Sequence, residues 1–255
     1  MTADRTCDLF GDDRAVRNIL GYVLTFAVVV TSVGVVSTTG YQQLEDLRGA
    51  EQFNNAERSL RLAAADFDDL QQGRARVRSS SIDLAGGSLA VTDTELDVEA
   101  VGTSFDRTLQ VGALRYGLDR SQVVYESGAL FRSDGDTEPT VVAAPPMVCS
   151  DQQALVSVVT LRAVDAEQVG SGRVQIVGSV DRRELRFPIN RTGPDSVGDT
   201  SAVEVTVDSP RADGWNRAFT ESGGWSETAT DDQYRCDGVD GVYVRQTVIN
   251  VSLRT

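Results

Sequence analysis

The sequence contains no histidine and no lysine. All 24 of its basic residues are arginine, set against 38 Asp and Glu for a formal charge of −14. Without His there is no ordinary proton shuttle near neutral pH and no imidazole metal ligand, so Ser-His-Asp, Cys-His and His-based zinc chemistry are excluded. The carboxylate surplus denies the chain the clustered positive charge that a phosphate backbone requires, which excludes nucleic acid as a partner. Cysteine is scarce, with 3 residues, and two Cys without His make a poor metal site. Hydrolysis by two carboxylates needs no His, but no Asp or Glu pair stands out for that work. No catalytic residue, metal or cofactor is expected. Disorder is excluded as well: 255 residues with 40% apolar content suffice for one large or two small packed domains.

Charge is absent altogether from one stretch. Between Arg17 and Glu45 lie 27 uncharged residues, and Ile19 to Val36 is almost wholly apolar. About 20 such residues at 1.5 Å each cross a hydrocarbon core of roughly 30 Å, so a membrane-spanning helix is expected over 18–40. A cleaved secretory signal would carry a shorter apolar run and an Ala-x-Ala-like end, whereas this one closes on "VVSTTG". Arg14 and Arg17 flank the near side closely, which puts the N-terminus inside and everything beyond the span outside.

The sequence then turns amphipathic over 41–72. Phe53, Ala56, Leu60, Ala63, Phe67 and Leu70 recur at helical spacing, and Gly73 suits a C-terminal cap. Residues 16–72 are thus expected as one helix, roughly 85 Å long. Its first half is greasy all round, and its second half offers one apolar face.

The run "DRA" followed by "VRNILGYVLTF", with "VGVVSTTGYQQLEDLRGAEQFNNAERSLRLAAADFDDL" after it, resembles archaeal type IV pilins, in particular a pilin-like envelope protein group of halophilic archaea. The Asp-rich, Lys-free composition matches that salt-adapted setting. The resemblance covers about the first 72 residues well and the remainder loosely. It implies a leader at 1–15 removed by a prepilin peptidase, with Arg14, Ala15 and Val16 at the cleavage point. It also implies a stem held by membrane lipid or bundled with other pilin-like subunits, and an exported head serving filament assembly or adhesion. Where bacterial members carry a Glu near the start of the mature stem, this chain has Asn18. The alternative is an uncleaved single-span anchor holding an extracellular binding module that does not polymerise.

From Arg74 onward the apolar period shortens. "SIDLAGGSLAV" and "QVVYESGALFR" read as hairpins around Gly86-Gly87 and Ser127-Gly128, and further short strands follow without long helices between them. The fold class expected is α+β: a long N-terminal transmembrane, pilin-type helix, then a mainly antiparallel β-sandwich-like head over 74–255 with one short helix. That helix falls in "SPRADGWNRAFTESGGW", with Ser209 as cap and Trp215 and Phe219 packing on one side. In the last strand, Val242 and Val244 differ in parity from Thr247, Ile249, Val251 and Leu253, which calls for either a bulge near Gln246 or a strand buried on both sides.

Three features bear on an exported location. Cys7 lies in the leader, leaving Cys149 and Cys236 as a pair that forms a disulfide if the head is outside, or two buried thiols if it is not. Asn190 in "NRT" and Asn250 in "NVS" are N-glycosylation acceptor triplets. The acidic loop "SDGDTEP" lacks the full calcium-loop pattern and reads as solvated surface, and Arg74, Arg76 and Arg78 read as partners for nearby carboxylates.

Overall fold

A computed structural model describes the backbone of residues 13–255, with side chains described at 21–37 and 47–255. The chain begins with α1 (Asp13–Gln71) and continues through β1 (Val77–Asp83), β2 (Ser88–Thr92), β3 (Glu95–Ala100), β4 (Asp106–Gln110), β5 (Ala113–Leu118), β6 (Ser121–Glu126), β7 (Ala129–Ser133), β8 (Thr140–Ala143) and β9 (Met147–Cys149). It closes with β10 (Gln153–Ala163), β11 (Gln168–Val169), β12 (Arg173–Phe187), β13 (Ala202–Asp208), α2 (Ala212–Ser222), β14 (Trp225–Glu227), β15 (Gln233–Asp237) and β16 (Gly241–Arg254).

This corrects the expected fold class. The protein is mostly β, with 16 strands against two helices among the described residues. No helix among them is long and apolar enough to cross a membrane. The head is built from three sheets rather than the two of a simple sandwich: β1-β12-β16-β10-β9, β11-β2-β5-β6-β7-β8 and β14-β15-β13-β3-β4.

Two compact units divide at Glu51 and Gln52, so the boundary falls inside α1. In the second unit the helical stripe does what its spacing predicts. Phe53, Ala56, Leu60, Ala63, Phe67 and Leu70 are all buried. They share a core with Ile82, Leu114, Tyr125, Val159, Ile249 and other residues of the first two sheets. The helix stops at Gly73, whose φ of 81° only glycine adopts without strain. Among its last carbonyls, Asp68 O and Asp69 O accept from the backbone of Gln72 and Arg74, and Leu70 O accepts from the Arg183 guanidinium at 2.9 and 2.6 Å; Arg183 also donates to Ala75 O, beyond the helix, at 2.9 Å.

A second core lies between the third sheet, α2 and the opposite end of the first sheet. Strand alternation supplies it: Leu96, Val98 and Ala100 face in while Glu95, Asp97 and Glu99 face out, and Val203, Val205 and Val207 do the same on β13. On α2 the Trp215 and Phe219 rings stack at 5.7 Å, and Phe219 continues onto Tyr234 at 4.4 Å. Packing therefore accounts for these aromatics. Ser209 does not cap α2. Its hydroxyl instead donates to Glu126 at 3.0 Å and accepts from the Arg211 backbone N–H at 3.1 Å.

The last strand takes the second of its two readings. β16 pairs β10 in parallel, without interruption, from Gln153 opposite Gly241 to Ala163 opposite Val251. Its even-numbered Val242 and Val244 enter the second core with Val156 and Val158, while its odd-numbered Ile249, Val251 and Leu253 enter the first with Val159 and Leu161. The parity change reflects a strand pair running past two cores on opposite faces. The register shifts lie on the neighbouring β12 instead, at Val180/Arg182 and Leu185/Phe187.

Of the two expected hairpins, Ser127-Gly128 joins β6 to β7 as predicted. Gly86-Gly87 does not make one: β1 pairs β12 and β2 pairs β5, so this turn carries the chain from one sheet to another. The crossing is tight, since a Cβ on Gly87 would meet the Tyr116 ring and Gly117 O at 2.7 Å.

Candidate assembly surface

The feature that core packing leaves unexplained is on α1. Over residues 21–37 every described side chain is exposed. Tyr22 is 85% exposed and Phe26 69%, with Val23, Leu24, Val28, Val29, Val30 and Val33 beside them. These residues point in all directions around the helix, so the surface is a continuous apolar sleeve instead of a stripe.

Three hydroxyls in this stretch bond within the helix. Thr25 Oγ1 donates to Gly21 O at 2.9 Å, Thr31 Oγ1 to Ala27 O at 2.7 Å and Ser32 Oγ to Val29 O at 2.9 Å. Each of these three folds back on its own helix, so their donors stay satisfied when the sleeve is taken out of water. Gly21 has nothing within 4 Å of where a Cβ would stand, which leaves room for another helix backbone to approach. Contiguous apolar surface of this kind marks a contact site in soluble and membrane-associated proteins alike.

Within the second unit, charge locks the rest of α1 to the head. Glu57 accepts from Arg61 at 2.7 Å and from Arg132 at 2.6 Å. Burial alone would push its carboxyl up, but those two guanidinium bonds outweigh it and hold the group below its ordinary value. Arg132 also reaches Asp134 at 2.9 Å and lies 4.8 Å over the Phe53 ring. At the end of the helix, Arg74 bonds Asp68 and Asp69 at 2.8 and 2.7 Å, and Arg78 bonds Asp69 at 2.8 Å. Of the three arginines expected to pair with nearby carboxylates, Arg74 and Arg78 do so.

The predicted site residues fall in three places. Arg14, Ala15 and Val16 lie outside the residues whose side chains are described. Cys149 and Cys236 are joined in a disulfide with Cα atoms 5.7 Å apart, tying β9 of the first sheet to β15 of the third. Asn190 is exposed on the loop after β12, whereas Asn250 sits in β16 between β10 and β12 and is half-buried. Among the described residues no group of His, Cys, Asp or Glu is arranged to hold a metal ion.

Sequence reasoning missed two features. Glu126 and Arg211 form an ion pair at 2.6 Å with side chains 0% and 6% exposed. They are 85 residues apart in sequence, so no local spacing signals them. The other is a groove of about 330 Å³ between the flank of α1 at Ala64 and Ala65 and the segment Val142–Pro146, floored by Tyr125 and Leu130. Its small residues read locally only as unremarkable alanines.

Taken together, fold and surface define a class: a β-rich, disulfide-tied head packed on the amphipathic part of a long helix whose preceding part is sleeved in exposed apolar side chains. The chain belongs to a family of unknown function, DUF7289, which matches residues 14–252. No curated protein and no solved structure matches it.

Proposed function

We propose that this is a pilin-like subunit of a cell envelope, displaying its head outside the cell for filament assembly or adhesion and using the apolar part of α1 to bundle with the same region of other pilin-like subunits. The observation that carries this reading is the sleeve of exposed Tyr22, Leu24, Phe26 and valines, whose hydroxyl neighbours are already bonded internally. A bundle removes this surface from water, at about 25 cal/mol for each Å² of apolar area buried. The disulfide supports an oxidising compartment for the head. In this reading a prepilin peptidase cuts between Ala15 and Val16, freeing the helix to pack.

Two measurements test it. Mass spectrometry of the native N-terminus is expected to find a start at Val16, and an intact Met1 would count against processing. Oxidative cross-linking of a Leu24→Cys variant in cells is expected to give a ladder of multimers, while a cysteine at solvent-facing Gln52 gives none. A Leu24→Cys protein that remains monomeric would end the bundle proposal.

A further inference from the structure

The two acceptor triplets differ sharply in the folded protein. Asn190, Arg191 and Thr192 are all exposed, on the loop joining β12 to β13. That loop is held in a defined shape: Ile189 N and Asn190 N donate to Asp195 O at 3.0 and 3.2 Å. Asp195 is held in turn, accepting from Ser104 N and Ser104 Oγ at 2.8 and 2.7 Å. The Asn190 amide donates one Nδ2 hydrogen to Pro194 O at 2.7 Å. An amide nitrogen carries two hydrogens, so the second is left for chemistry.

Asn250 is placed in the opposite way. Its backbone is paired on both sides, opposite Arg162 of β10 and Ser179 of β12. The hydroxyl that completes its triplet, on Ser252, is buried and bonded to Asp165, and it also accepts from Arg254 Nε at 3.2 Å. Reaching this triplet requires pulling a central strand out of the sheet.

We propose that Asn190 is an N-linked glycan site of this protein and that Asn250 is not, an inference that rests on the head being exported. The donor is a lipid-phosphate-linked oligosaccharide. Transfer forms a bond from Asn190 Nδ2 to the anomeric carbon of the sugar and breaks that carbon's bond to phosphate. The free Nδ2 proton is released, the lipid phosphate leaves, and the remaining N–H keeps its bond to Pro194 O. A glycan here covers the solvent side of the β12–β13 loop and leaves both cores undisturbed.

The test is peptide-level mass spectrometry of the full chain purified from the cells that make it, combined with external protease treatment of intact cells. Peptides containing Asn190 are expected to carry the added mass of an oligosaccharide. Asn190→Gln and Thr192→Ala each abolish it, Thr192→Ser retains it, and Asn250→Gln changes nothing. A bare Asn190 on chains that external protease digests overturns this proposal and leaves the export reading standing. Sugar found on Asn250 also overturns it. A bare Asn190 on chains the protease cannot reach overturns the export reading and this inference with it.

Discussion

Arg211 and Glu126 meet at 2.6 Å with side chains 6% and 0% exposed, and the Ser209 hydroxyl donates to the same Glu126 oxygen at 3.0 Å. A buried pair of this kind contributes little over an apolar replacement, but losing one partner strands the other charge. Arg211→Met is therefore expected to cost about 3–5 kcal/mol in urea unfolding, and the double variant with Glu126→Leu much less than the sum. A single variant as stable as the parent would remove this pair from the account. Glu57 and Tyr234 contribute at opposite ends of the pH range. Glu57 is held below its ordinary value of 4.5, so its contribution is present above that value and lost as pH falls through its lower folded value. Burial pushes Tyr234 up to about 12 from 10.0, so its contribution is complete below pH 10.0 and lost as pH rises toward 12. Melting temperature measured across pH is expected to fall at both ends, and Glu57→Gln should flatten the acid side.

At the level of elements, α1 is the part whose role was most legible beforehand. The spacing of Phe53, Ala56, Leu60, Ala63, Phe67 and Leu70 identifies the buried face without reference to what covers it, because helical geometry alone puts those residues on one side. What covers them was not legible. Phe67 lies 5.0 Å from Tyr125 on β6 and against Gly178 on β12, partners contributed by two sheets. Phe67→Ala is expected to cost about 3–5 kcal/mol, read from the midpoint of chemical denaturation. A loss below about 1 kcal/mol would mean that this half of the helix is not an integral part of the head. The Gly86-Gly87 turn shows the converse case. Its local signature is that of a hairpin, yet β2 finds β5 as its partner, since turn residues specify a reversal but not which strand receives it.

At the scale of the molecule, net charge is the dominant variable. A formal −14 with every basic residue an arginine leaves carboxylates facing one another, as at the outer face of the third sheet, where Asp97, Glu99, Asp106 and Glu204 line one hollow. Arg235 neutralises only part of it, at 2.7 Å from Glu204. Screening over about 3 Å at molar salt relieves this repulsion, so the melting temperature is expected to rise with KCl well past physiological concentration. A melting temperature that stays level from dilute buffer to about 2 M KCl would contradict it.

Composition and periodicity alone determined that this sequence offers no imidazole, that a helical stripe is buried from Phe53 to Leu70, and that strands dominate after Arg74. These properties depend on residue type and local spacing, which the chain carries in every conformation. Tertiary structure decided that the fold is mostly β in three sheets, that β10 and β16 run parallel past two cores, and that Cys149 meets Cys236. It also decided that Asn190 is open while Asn250 is enclosed. Each of these depends on which distant segments become neighbours, and that choice is made by burying apolar faces together across the whole chain.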